Sequence, residues 1–99
     1  MLIFNTSFYV NEALIEEWKR WLDNQLFLEV NKQVSVLSVE VFEVISGSAD
    51  ENRVFSVQWR CSDLSQIQKL DDCVATILPT LKTQLGESVG HFSSLMKKL

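Results

Sequence analysis

Few residues in this chain are of a type that can do chemistry, and they are scattered. His91 is the only histidine, and histidine is the residue type best suited to proton transfer near neutrality. Arg60 is the other ionisable candidate. Alternation within strand-like runs turns Asn5, Ser7, Ser56, Gln58 and Arg60 to one side of a sheet. Ser38 and Glu40 join them if the second run keeps parity, and His91 and Ser93 are expected from the last run. Such a row can capture a small polar ligand, or carry acid–base chemistry with His91 or Arg60 at its centre. More often, groups of this kind hydrogen-bond one another or water across a subunit contact. A lone strand histidine is likewise structural more often than catalytic. Cys61 and Cys73 have no histidine or further cysteine at ligand spacing, so no metal site is expected. Gly47, Gly86 and Gly90 form no phosphate-cradling loop. Glu16-Glu17 and Asp71-Asp72 fall on solvated helical faces.

The elements that position these residues follow from hydrophobic period. Leu2–Val10 reads as a central strand, with Leu2, Phe4, Phe8 and Val10 on one face and Ile3, Asn5, Ser7 and Tyr9 on the other. Asn11 is a good helix N-cap, and Val10 and Ile15 stand at hydrophobic-staple spacing. Leu14, Ile15, Trp18, Trp21, Leu22 and Leu26 then make one apolar helical stripe, while Phe27 and Leu28 fall off it. Val34–Ile45 is β-branched and strand-like, and the polar stretch Ser46–Asn52 reads as a hairpin loop. Arg53–Cys61 returns as a third strand, with Phe55, Val57 and Trp59 inward.

Asp63 and Gln66 have capping-box spacing at the start of a second helix. Its buried face runs through Leu64, Ile67, Leu70, Val74, Ile77, Leu78, Leu81 and Leu85. Pro79 lies inside that pattern, so a kink or break near Thr76–Ile77 is expected. Gly86 ends the helix, and Val89–Lys98 is a last strand. The order strand-helix-strand-strand-helix-strand predicts an α+β, ferredoxin-like domain over residues 1–99. Its antiparallel sheet has strand order 4-1-3-2, with two helices on one face.

Composition narrows the partners. With 99 residues, 46% hydrophobic and 22% charged, the chain is an ordinary globular domain. Its net charge of −4 argues against nucleic acid or an anionic membrane, since both need clustered positive charge. The start lacks a basic segment followed by a long apolar core, and no apolar run approaches membrane-span length. A cytoplasmic address with reduced thiols is the expectation.

The chain resembles the domain of unknown function family DUF4286, small proteins with the dimeric α/β-barrel type of ferredoxin-like fold. The resemblance rests on Phe4-Asn5-x-x-Phe8-x-Val10, Trp18-x-x-Trp21-Leu22, Ser56-Val57-Gln58, the proline late in the second helix, and Gly86 followed by Val89-x-x-Phe92. It spans nearly the whole chain. The family pattern has a His-Ile-Pro turn after the first helix where this chain has Leu26-Phe27-Leu28. It also has an Arg-Thr pair where this chain has Ser93-Ser94, so activity resting on either is not expected here.

Two weaker likenesses compete. Asn5, Trp59 and His91 resemble the Asn/Trp/His set of haem-degrading monooxygenases, but Trp59 shares its row with the core residues Phe55 and Val57. Arg53–Trp59 superficially resembles the third-strand motif of RNA-recognition domains, but it lacks that motif's glycine and buried aliphatic.

The favoured reading is a binding or assembly domain without enzymatic activity, acting as a homodimer through the sheet face away from the helices. The expected site for a small-molecule ligand is Asn5, Ser7, Ser56, Gln58, Arg60 and His91, and no cofactor or metal is expected. The alternative is a cofactor-free, monooxygenase- or isomerase-like enzyme, and an RNA-recognition-like role is remote.

Overall fold

The computed structural model describes residues 1–45 and 52–99, so most of the expected loop Ser46–Asn52 lies outside the described residues. Strand β1 (Leu2–Asn11) is central, as its two-faced pattern predicts. It pairs antiparallel with β3 (Asn52–Cys61) on one side and with β4 (Val89–Lys97) on the other. Strand β2 (Ser38–Val44) completes the sheet against β3, giving the order β2-β3-β1-β4, the expected 4-1-3-2 read from its other end. This is the α+β, ferredoxin-like arrangement. The second strand is shorter than its apolar run: Val34 caps the preceding helix, and Val36, which alternation along the run groups with Phe42 and Val44, packs against the core.

The first helical rod begins where Asn11 Oδ1 accepts the Ala13 N–H at 3.0 Å. A 3₁₀ turn (Glu12–Leu14) leads into α1 (Ile15–Trp21), a π-helical turn (Leu22–Phe27) and α2 (Leu28–Gln33). The backbone stays in the right-handed helical region across both junctions. Trp18, Leu22, Leu26, Val30 and Val34 are all buried, one at every fourth residue. On a regular helix such a row drifts by about 40° per step. The wider winding of the π turn takes up the drift and keeps the row on the core. It also accounts for Phe27, which is half-buried and meets Trp59 edge-on at 6.2 Å. Leu28 stays exposed.

Helix α3 (Leu64–Leu85) is capped by Asp63, whose Oδ1 accepts the Gln66 N–H at 3.0 Å. Gln66 reaches back one residue further than a standard capping box, its Oε1 accepting the Ser62 N–H at 2.9 Å. The expected break near Thr76–Ile77 does not occur: α3 continues as one helix through Pro79. Pro79 and Ala75 are both exposed, so water can serve the Ala75 carbonyl that the proline leaves without a donor.

Both helical layers cover the same face of the sheet. Between them and the sheet lie Phe4, Phe8, Phe55, Val57, Trp18, Leu22, Ile67 and Val74, all buried as their periodicity predicts. Phe8 is the hub, fully buried and against Trp18 at 5.4 Å and Trp21 at 5.8 Å. Trp21 Nε1 donates to Thr80 Oγ1 at 2.9 Å, tying α1 to α3.

Candidate functional site

The face turned away from the helices is assembled by strand register. Asn5 stands between Gln58 and Ser94, Ser7 between Ser56 and Phe92, and Tyr9 between Val54 and Gly90. On β2, Ser38, Glu40, Phe42 and Val44 pair with Arg60, Gln58, Ser56 and Val54, so Ser38 and Glu40 do hold parity.

At the centre is a closed hydrogen-bond cluster. Asn5 Nδ2 donates to Ser7 Oγ at 3.1 Å and to Ser94 Oγ at 3.4 Å. Ser56 Oγ donates to Asn5 Oδ1 at 2.5 Å, and Gln58 Nε2 donates to Ser56 Oγ at 3.1 Å. Asn5, Ser7 and Ser56 are only 7–8% exposed, although no helix covers them. Larger neighbours wall them in. Tyr9, Phe42, Val44, Phe92 and Met96 are exposed around this centre, with Tyr9 and Phe92 ring to ring at 6.0 Å. At one edge Arg60 forms an ion pair with Glu40.

The last strand corrects the expected set. His91 and Ser93 do not share this face; Phe92 and Ser94 do. His91 pairs with Phe8, with ring centroids 6.3 Å apart, and lines a shallow pocket with Leu78, Leu81 and Lys82 of α3. Ser93 pairs with the buried Thr6, their hydroxyl oxygens 2.9 Å apart. The run His91-Phe92-Ser93-Ser94-Leu95-Met96 has no clean alternation, and one residue of slip exchanges the faces of a strand. Alternation therefore does not mark Ser94 and Phe92 as part of this face, whereas Tyr9 shares the row of Asn5 and Ser7 in β1, as its parity predicts. The only available signal was the apolar pair Phe92 and Met96 at strand spacing. Asn5 and Trp59 lie on opposite faces of the sheet, and Trp59 is buried in the core, so the Asn/Trp/His set does not assemble.

The charge pattern follows these placements. On the helix-side face of the hairpin, Arg53 holds Glu43 in a two-pronged ion pair at 2.7 and 2.8 Å. Hydrogen bonding to the guanidinium keeps the Glu43 carboxyl below its ordinary range and the Arg53 pKa above its own. Burial pushes both free thiols, Cys61 and Cys73, upward, which makes them poor nucleophiles. Among the described residues, no three His, Cys, Asp or Glu side chains group closely enough to hold a metal ion. None of their helices is long and apolar enough to cross a membrane.

The chain has the same fold as several solved structures. An ethyl tert-butyl ether d (ethd) family protein of Bacillus halodurans aligns with a TM-score of 0.63 at 11% identity, over 100% of both chains. HapK of Hahella chejuensis aligns at 0.63 with 12% identity, over 100% of this chain and 93% of its own. A dimeric ferredoxin-like protein from an uncultured marine organism aligns at 0.54 with 13% identity, over 96% and 92%. No curated protein matches the chain in sequence. The model of the domain of unknown function family DUF4286 matches residues 1–99, and the chain belongs to that family.

Proposed function

We propose that this DUF4286 member is a single binding and assembly domain over residues 1–99, acting as a homodimer through its open sheet face rather than as an enzyme. One observation carries the reading: an apolar rim of Tyr9, Phe42, Val44, Phe92 and Met96 surrounds a hydrogen-bonded polar centre on the face that no helix covers. Contiguous apolar patches of this kind seldom stay wet on a monomer. A two-fold axis covers an identical patch twice. The structural likeness to a protein described as dimeric and ferredoxin-like supports the same arrangement. In the dimer, Asn5, Ser7, Ser56 and Gln58 meet their counterparts through hydrogen bonds, trapped water or a small polar ligand, with Arg60 at the edge. Buried, free Cys61 and Cys73 suit a reducing cytoplasm.

The enzymatic alternative has less support. Catalysis on this face needs an ionisable group at the polar centre. His91 lies across the sheet, and Arg60 is engaged by Glu40. Sedimentation velocity at low micromolar concentration tests the proposal. The parent protein is expected to sediment as a dimer and Phe42→Glu as a folded monomer. A monomeric parent, or a Phe42→Glu variant that still pairs like the parent, refutes it.

A further inference from the structure

The opposite face of the sheet carries a second candidate. The first helical rod leaves the helix-side surface of edge strand β2 partly uncovered, and a groove of about 370 Å³ runs between them. Its walls are Trp18, Leu22 and Phe27 from the rod and Val41 and Phe55 from the sheet, with charged residues at the rim. Three observations meet there. The volume lies at the lower end of the range of small-molecule sites. The π turn Leu22–Phe27 forms one wall and brings Phe27 onto it, and π turns are frequent at functional sites. Finally, Trp18 is 1% exposed, and among the described residues its Nε1–H is a buried donor with no acceptor. Its neighbour Trp21 has Thr80 for the same purpose. A buried donor left unpaired is destabilising, and an acceptor brought in by a ligand relieves that cost.

We propose that this groove binds a small, neutral aromatic molecule bearing a carbonyl, whose oxygen accepts the Trp18 Nε1–H. Aromatic walls select the flat apolar body. Trp18 and Phe55 already stack at 4.7 Å, so the wall beneath the ligand is an ordered ring pair. The rim selects neutrality. It combines Lys19 with Asp23 and Glu43, and Glu43 is already held by Arg53, so an ion of either sign gains little there. Trp18 is 1% exposed, so a ligand seated between Phe27 and Val41 reaches the indole edge only as the lining side chains yield. This site is independent of the proposed dimer surface, which lies on the other side of the sheet.

Acetophenone and ethylbenzene serve as probes, since they match in shape and only the first has an acceptor. Both are titrated into isotope-labelled full-length protein and followed by NMR. Acetophenone is expected to give saturable shifts at the Trp18 indole N–H and at the amides of Leu22, Asp23, Phe27 and Val41. It is expected to bind roughly fivefold more tightly than ethylbenzene, the equivalent of one neutral hydrogen bond. Val41→Trp, a change at an exposed edge position that fills the groove, should abolish binding of both. Trp18→Phe should remove the difference between the two probes. If that core variant does not fold, the comparison of the two probes on the parent protein decides the role of the donor. Phe42→Glu should bind acetophenone like the parent, so failure of the dimer and failure of this site are separable. The proposal is overturned by an absence of saturable shifts, by shifts centred on another surface, by undiminished binding to Val41→Trp, or by equal affinity for the two probes.

Discussion

Phe8→Ala tests the placement of the whole core, because Phe8 lies where strand, rod and last strand meet. Its side chain is fully buried, with ring centroids of Trp18, Trp21 and His91 at 5.4, 5.8 and 6.3 Å. Truncation removes the ring's transfer free energy and leaves a void between two tryptophans. Each is anchored: Trp21 by Thr80, Trp18 by its stack on Phe55. Such a site collapses poorly, so the cost belongs in the middle of the ~3–5 kcal/mol range for aromatic truncation, about 4 kcal/mol. A domain of this length has only about 5–15 kcal/mol in total. With a urea dependence near ~1.5–2 kcal/mol/M, the unfolding midpoint should fall by about 2–3 M. The buried residues Trp18, Trp21 and Trp59 report the transition by fluorescence. Tyr9→Ala, one residue on and facing the other way, should cost under about 1 kcal/mol at a protein concentration low enough to separate subunits. A Phe8→Ala loss under ~1 kcal/mol, or a larger loss for Tyr9→Ala, would falsify the assignment of faces.

Three further outcomes are expected. Pro79→Ala restores one backbone donor in an exposed helix interior and should raise stability by about 1–3 kcal/mol in urea unfolding; a loss would mean that the proline is needed. Asn5→Ala deprives Ser7, Ser56 and Ser94 of a shared partner and should cost about 1–3 kcal/mol with the circular dichroism spectrum unchanged, so a neutral result would show that water replaces the amide freely. The Glu43 and Asp63 carboxyls are both held below their ordinary values, by the Arg53 hydrogen bond and by the Gln66 N–H respectively. The unfolded chain therefore binds protons first, and stability contributed by these groups at neutral pH is lost as pH falls from the ordinary carboxylate range, about pH 4, through the lower folded values. Glu43→Gln should flatten that acid limb in pH-dependent unfolding, and an unchanged limb would count against the Arg53 pairing.

Strand and helix order, the parity of β1 and β3, the caps at Asn11 and Asp63, and the core row from Phe4 to Val74 were all legible in the sequence. Each is a local consequence of chemistry: alternation puts a side chain on one face, and a short polar side chain at a helix start has a backbone N–H within reach. Family resemblance pointed to the same fold. The polar centre was half legible, because Asn5, Ser7, Ser56 and Gln58 lie in strands with strong alternation, whereas β4 has hydroxyls and apolar groups on both faces. Only pairing with β1 decides that Ser94 and Phe92, not His91 and Ser93, face outward. The every-fourth-residue row from Trp18 to Val34 was also present in the sequence. That it is accommodated by a π turn depends on the sheet beneath, which holds those five side chains to one direction. Pro79 is tolerated because packing sets its side of α3 toward solvent, where the orphaned carbonyl can be hydrated. Likewise, the groove beside Trp18 exists only because the rod and edge strand β2, distant in sequence, approach without closing. Periodicity along a chain specifies which side chains travel together, but the space between two elements is set by the volumes packed elsewhere in the core.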